Sequence, residues 1–191
     1  MREVRDEALA ELAAEGDLDA FEELVNRHRA AVYRMARAVT GSHADADDAA
    51  QETFIRAYRS LGSYDASRPF RPWLRKIAHN TSLNVLRAAA GRARRFSTGE
   101  APQHPDPSPN PEAAMEGRES RRGIETALKN LSSELRTTLH LRAAEGMSYR
   151  DIARVTGVRI GTVMSRLSRA REKVLGSLQA AEGRPEGGEG T

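Results

Sequence analysis

Residues 146–178 read GMSYRDIARVTGVRIGTVMSRLSRAREKVLGSL. Ser148 with Asp151 three residues on resembles a capping box, with aspartate in place of the commoner glutamate. Ile152 and Val155 mark the buried side of a short helix that Gly157 stops. A further helix is predicted from about Ile160 to Leu178, and two helices joined by a tight glycine turn make a helix-turn-helix. Along the second helix Val163, Leu167, Ala170 and Val174 recur at steps of four, three and four and should face a core. Thr162, Ser165, Arg166, Arg169 and Lys173 line another face. Small polar side chains and arginines on the second helix of such a motif suit the major groove of DNA. Arginine can donate two bonds to guanine O6 and N7, while serine and threonine reach bases or phosphates. An ordinary solvated basic face is the competing reading; turn, periodicity and charge together favour the groove.

Working toward the N-terminus, Leu135, Leu139 and Leu141 mark one helix, and Ile124, Leu128 and Leu131 another. Before them, five of the eight prolines fall within residues 102–111. Proline removes backbone donors and disfavours helix in the residue before it. Residues 94–118 are therefore expected to be a flexible linker between a domain at 1–93 and one at 119–180. The glycine-rich residues 181–191 are expected to be a disordered tail.

The first domain also reads as helix. Phe21, Leu24, Val25, Val32, Met35, Ala36 and Val39 share one face of a segment from Asp17 to Thr40, ended by Gly41. A second helix from about His43 to Leu61 packs through Ala46, Ala49, Ala50, Phe54 and Ala57. After the loop GSYDASRP, a third runs from Phe70 to about Ala90 and buries Leu74, Ile77, Ala78, Thr81 and Val85. A shorter helix is expected near residues 4–15. No strand-length alternation of β-branched residues occurs. The expected fold is all-α: an N-terminal helical bundle and a C-terminal helix-turn-helix domain.

Two further faces carry chemistry. On the helix from Phe70, the core stripe leaves Trp73, Lys76, Asn80, Asn84 and Arg87 on a neighbouring arc. A stacking surface, two amides and two cations suit bases of a single strand; Trp73 closing the core beside Leu74 is the alternative. DADDAAQETF places Asp45, Asp47, Asp48 and Glu52 at a helix start, where the dipole favours carboxylates. Taken alone, these residues favour that local role over docking on a basic partner.

The 191 residues carry a net charge of +3, unevenly spread. Residues 65–95 and 121–180 are each +7, residues 1–64 are −5 and residues 96–120 are −4. Two basic blocks suggest two contacts with a polyanion. Apolar residues make up 39%, and no run approaches the roughly 20 needed to span a membrane. The first residues, MREVRDEALAELAAEGD, lack the apolar centre of a signal peptide. Cysteine is absent, which excludes a disulfide framework, a thiolate zinc site and a cysteine nucleophile. His28, His43, His79, His104 and His140 show no metal-binding spacing and read as surface or linker residues. No catalytic site, metal, cofactor, membrane contact or small-molecule substrate is expected, and the chain reads as cytoplasmic.

Taken together, FEELVNRHRAAVYRMARAVTG, DADDAAQETFIRAY and FRPWLRKIAHNTSLNVLR resemble the second conserved region of group-four (extracytoplasmic-function) sigma factors of bacterial RNA polymerase. LSSELRTTLHLRAAEGMSYRDIARVTGVRIGTVMSRLSRAREKV resembles their fourth. The resemblance implies that Asp48, Gln51 and Glu52 dock on the clamp helices of the largest polymerase subunit, reversing the local reading. It implies that the loop Tyr64 to Pro69, with Trp73, Asn80 and Asn84, captures the melted −10 element. It assigns the −35 duplex to Thr162, Ser165, Arg166 and Arg169, and implies contact with the polymerase flap and an anti-sigma factor. Met164 stands where many members have lysine or arginine, and Ser168 replaces a frequent aromatic. A stand-alone helix-turn-helix regulator, or a helical adaptor that binds only protein, are the competing functions.

Overall fold

The computed structural model describes residues 4–96 and 123–182. Of the expected linker, residues 94–118, and the expected tail, residues 181–191, residues 94–96 and 181–182 belong to helices, and residues 97–118 and 183–191 lie outside the described residues. Helix α1 spans Asp6–Ala14, α2 Leu18–Thr40, α3 His43–Ser60 and α4 Phe70–Phe96. Helix α5 covers residues 123–129, followed by α6 Ser133–Ala143, α7 Tyr149–Thr156 and α8 Ile160–Glu182. Among the described residues there is no strand. Helices α4 and α8 run further than their apolar patterns reach, α4 to Phe96 instead of about Ala90 and α8 to Glu182 instead of Leu178. Arg92, Ala93, Arg94 and Arg95, all good helix formers, outnumber Gly91 and Phe96 in the added residues of α4.

Caps explain most boundaries. Asp17 accepts a hydrogen bond from Ala20 N at 3.0 Å at the start of α2, and Ser148 accepts one from Asp151 N at 3.1 Å at the start of α7. The Ser148 hydroxyl also donates to the Asp151 carboxylate at 2.6 Å, so the short aspartate serves the capping pair. Gly41 ends α2 at φ +78° and Gly157 ends α7 at φ +71°, a conformation that costs other residues a steric penalty. Glu7 of α1 accepts the Phe70 backbone N–H at 3.1 Å, placing a carboxylate at the positive end of α4.

Leu24, Val32 and Met35 of α2 join Phe70, Leu74 and Ala78 of α4 in one apolar cluster, all at most 2% exposed. Small Ala46, Ala49 and Ala57 let α3 approach closely, and each is fully buried. In the C-terminal half Leu135, Leu141, Ile152, Val155, Val163, Leu167 and Ala170 are buried as their spacing predicts. The halves do not stand apart. Helix α6 packs on α2 and α7 on α4, and Leu141, Ile152, Val155, Val163 and Leu167 join the same apolar cluster as Leu24 and Leu74. No helix among the described residues is long and apolar enough to cross a membrane.

Candidate nucleic-acid and polymerase interfaces

Helix α8 carries its two stripes as the spacing requires. Val163 and Leu167 are buried, whereas Ser165, Arg169 and Lys173 are exposed and Thr162 is half-buried. The Ser165 hydroxyl donates to the Thr162 carbonyl at 3.0 Å, back-bonding that leaves its oxygen able to accept. Arg166 differs from its neighbours. Its side chain is 18% exposed, its guanidinium pairs with Glu134 of α6 at 3.2 Å, and it lies close enough to His79 of α4 to disfavour charge there. Met164 is 54% exposed at the start of the same helix, and the Ser168 hydroxyl donates to Glu172 at 2.9 Å.

On α4, Lys76, Asn80, Asn84 and Arg87 are exposed together. Arg87 donates to the Asn84 side-chain oxygen at 3.4 Å, and the Asn84 amide nitrogen can still donate. Trp73 is only half-buried, with its ring 4.9 Å from Tyr64 and 5.3 Å from Phe70. Both readings of Trp73 thus hold in part: one side closes the core and the other reaches the surface. The preceding loop is ordered locally, because Asp65 accepts from the Ser67 backbone at 3.1 Å and its hydroxyl at 2.6 Å and pairs with Arg68 at 3.0 Å. The Tyr64 hydroxyl donates to the Arg68 carbonyl.

The acidic face of α3 is separate from both. Asp48 and Gln51 are exposed, and Glu52 accepts from Arg56 at 2.6 Å. An exposed pair of this kind contributes little stability, so Glu52 can exchange Arg56 for another cation. Ile55 and Tyr58, 45% and 41% exposed, extend the same arc. The sequence reading overlooked them because apolar residues in a helix register as core by default; a helical wheel centred on Asp48 would have found them.

Three histidines depart from the surface reading. His28 is 4% and His79 7% exposed, and the His140 side chain is 14% exposed. His28 hydrogen-bonds Asp6 at 2.8 Å, while burial pushes its pKa down. Burial drives His79 to about 4, reinforced by Arg166 and Arg87. His140 falls to about 4 for the same reason, with Arg34 and Arg75 adding to it.

Residues 24–92 match the family described as sigma-70 region 2, and residues 121–174 match sigma-70 region 4. The sigma-E factor of Haemophilus influenzae, an ECF RNA polymerase sigma factor, is 35% identical over 93% of this chain and 97% of its own. This chain belongs to the extracytoplasmic-function (ECF) sigma factors. The sigma-H factor of Pseudomonas aeruginosa is 36% identical over 92% of this chain and 94% of its own. Among solved structures, the sigma factor RpoE of Bartonella quintana, bound to the anti-sigma factor NepR, superposes with a TM-score of 0.70 at 27% identity, covering 83% of this chain and 96% of that one. As an ECF sigma factor the chain recognises promoters and directs transcription initiation by RNA polymerase. Both regions occur in one chain and in order, so the stand-alone regulator and the adaptor are set aside.

Proposed function

We propose that this ECF sigma factor divides promoter recognition between two helices that read different states of DNA. Thr162, Ser165, Arg166, Arg169 and Lys173 read the −35 element as intact duplex. Trp73, Lys76, Asn80, Asn84 and Arg87 hold bases of the melted −10 element. The contrast between the two faces carries this reading. The α8 face has no aromatic and suits groove edges, whereas the α4 face sets two exposed asparagines and two cations beside a half-buried tryptophan.

Asp48, Gln51 and Glu52, with Ile55 and Tyr58, form the dock for core polymerase: an apolar centre with an acidic rim facing a basic surface. The division of the chain follows, with residues 1–93 for docking and the −10 element, 94–118 as linker, 119–180 for the −35 element and the polymerase flap, and 181–191 as tail. The protein acts in the cytoplasm, supplies no catalytic group and needs no metal or cofactor. An anti-sigma factor restrains it, as NepR accompanies the Bartonella protein. Run-off transcription with core polymerase on a mapped promoter tests the assignment. Base changes in the −35 element should lose their effect in an Arg166→Ala, Arg169→Ala variant, and changes in the −10 element in an Asn80→Ala, Asn84→Ala variant. Equal sensitivity to both elements in both variants would refute the division.

A further inference from the structure

We infer that Met164 is a base-reading residue of α8, whose side chain takes up the C5-methyl group of a thymine in the major groove of the −35 element. This inference rests on the −35 reading proposed above and adds an apolar contact to it. Met164 is 54% exposed, and Ile160, one turn earlier, is 44% exposed. Side chains four apart on a helix are neighbours, so the two form an apolar edge on the first turns of α8.

The arc of α8 that faces away from the core is centred elsewhere than the stripe of its arginines. Opposite the buried Val163, Leu167 and Ala170 lie Gly161, Ser165 and Ser168, all exposed. A Cβ added at Gly161 would meet no atom within 4 Å. Glycine and two serines keep the middle of this arc low, so base edges can come close to the helix. Met164 stands along one margin of that strip and Arg169 along the other, and both are exposed. Thr162 and Arg166 lie beyond Arg169, toward the core, and are half-buried.

Several polar groups near this arc are already engaged within the protein. The Ser165 hydroxyl donates to the Thr162 carbonyl at 3.0 Å, the Ser168 hydroxyl donates to Glu172 at 2.9 Å, and Arg166 pairs with Glu134 at 3.2 Å. The first residues of a helix lying in the groove are those that reach base edges, and Met164 is among them. Its thioether sulfur is only a weak acceptor, so it cannot supply the paired hydrogen bonds that an arginine offers to guanine. The apolar group that a base pair presents in the major groove is the thymine C5-methyl. An unbranched, polarizable side chain with three rotatable bonds can settle over that methyl, which removes apolar area from water on both partners.

The test uses polymerase holoenzyme containing the full chain and promoter duplexes in which each −35 position carries all four base pairs in turn. Each thymine, in either strand, is then replaced by deoxyuridine, which lacks only the C5-methyl. Competition gel shifts at low temperature read the closed complex. At one position thymine should be favoured over deoxyuridine by about fourfold, the magnitude of one buried methyl group. Met164→Leu should keep that preference, and Met164→Ala should abolish it while preferences at the other −35 positions remain. A methyl preference that survives in Met164→Ala, or no position at which the methyl group matters, would overturn the inference. Loss of every −35 preference in Met164→Ala would also overturn it, because the methionine would then hold α8 in place and read no base. Arg169→Ala tests the underlying assignment separately. If it leaves all −35 preferences intact, the −35 reading of α8 fails; if it relaxes them and no methyl effect is found, that reading stands and only the thymine contact fails.

Discussion

The guanidinium of Arg136 on α6 reaches the last turn of α2, where its Nε donates to the carbonyl oxygen of Ala38 at 2.6 Å. Nη2 also points to the Val39 carbonyl at 3.4 Å. A cation from the C-terminal half therefore caps the negative end of a helix in the N-terminal half. Gly41 lies alongside, and a Cβ added there would come within 3.0 Å of Arg136 Nη2.

Arg136→Ala should lower stability by about 2–4 kcal/mol, because charged hydrogen bonds are lost and carbonyl groups are left unpaired. Gly41→Ala should cost about 1–2 kcal/mol from its positive φ, with the crowding at Arg136 adding to it. Urea unfolding monitored by circular dichroism checks both. An unchanged midpoint in Arg136→Ala would show that the cap contributes nothing.

Acidification should lower stability. His79 and His140 titrate near 4 in the folded protein, against about 6.5 when unfolded. A depressed histidine pKa stabilises fully above the unfolded value and is lost as pH falls through the folded one, so the window is about pH 6.5 to 4. His79 faces Arg87 and Arg166, while His140 faces Arg34, Arg75 and Glu145. Each contributes up to about 3 kcal/mol. Denaturant midpoints from pH 7 to pH 4 should fall less steeply for His79→Gln, His140→Gln than for the unaltered chain. Parallel curves would exclude both histidines as the titrating groups.

Separate surfaces should fail separately. Arg166→Ala and Arg169→Ala should each weaken −35 recognition by about 1–3 kcal/mol, measured as duplex affinity of the polymerase-bound protein, with core binding intact. Asp48→Ala or Glu52→Lys should reduce affinity for core polymerase instead. A common loss in both titrations would point to unfolding of the chain.

Trp73→Ala should combine two effects. Its ring packs on Tyr64 and Phe70, so removal should cost about 2 kcal/mol of stability, below the range for a fully buried tryptophan. Asn80→Ala and Asn84→Ala, both exposed, should leave the thermal midpoint unchanged and slow promoter opening. Fluorescence of an unpaired-base probe in the −10 element reads opening, and gel shift reads the closed complex. Normal opening in the asparagine variants would remove this face from strand capture.

Much of the molecule is legible in the order of its residues. Helical periodicity placed Leu24, Val32 and Met35 inside α2, and Val163, Leu167 and Ala170 inside α8, because burial of one face of a helix follows a 3.6-residue repeat that local sequence displays directly. Caps such as Asp17, Ser148 and Gly157 act over three or four residues and are equally readable. The contact between the halves is different in kind. Arg75 is one cation among many on α4, and Glu145 sits in the turn between α6 and α7; their buried ion pair joins positions 70 residues apart, and no local pattern encodes it. The same holds for Arg136 on Ala38, for the burial of His79 and His140, and for the withdrawal of Arg166 from its own stripe. Sequence by itself determined which helices form and which faces carry charge, since those are properties of neighbours along the chain. Only the tertiary structure decided which of those charges are covered, because desolvation and pairing depend on what a distant helix brings against them.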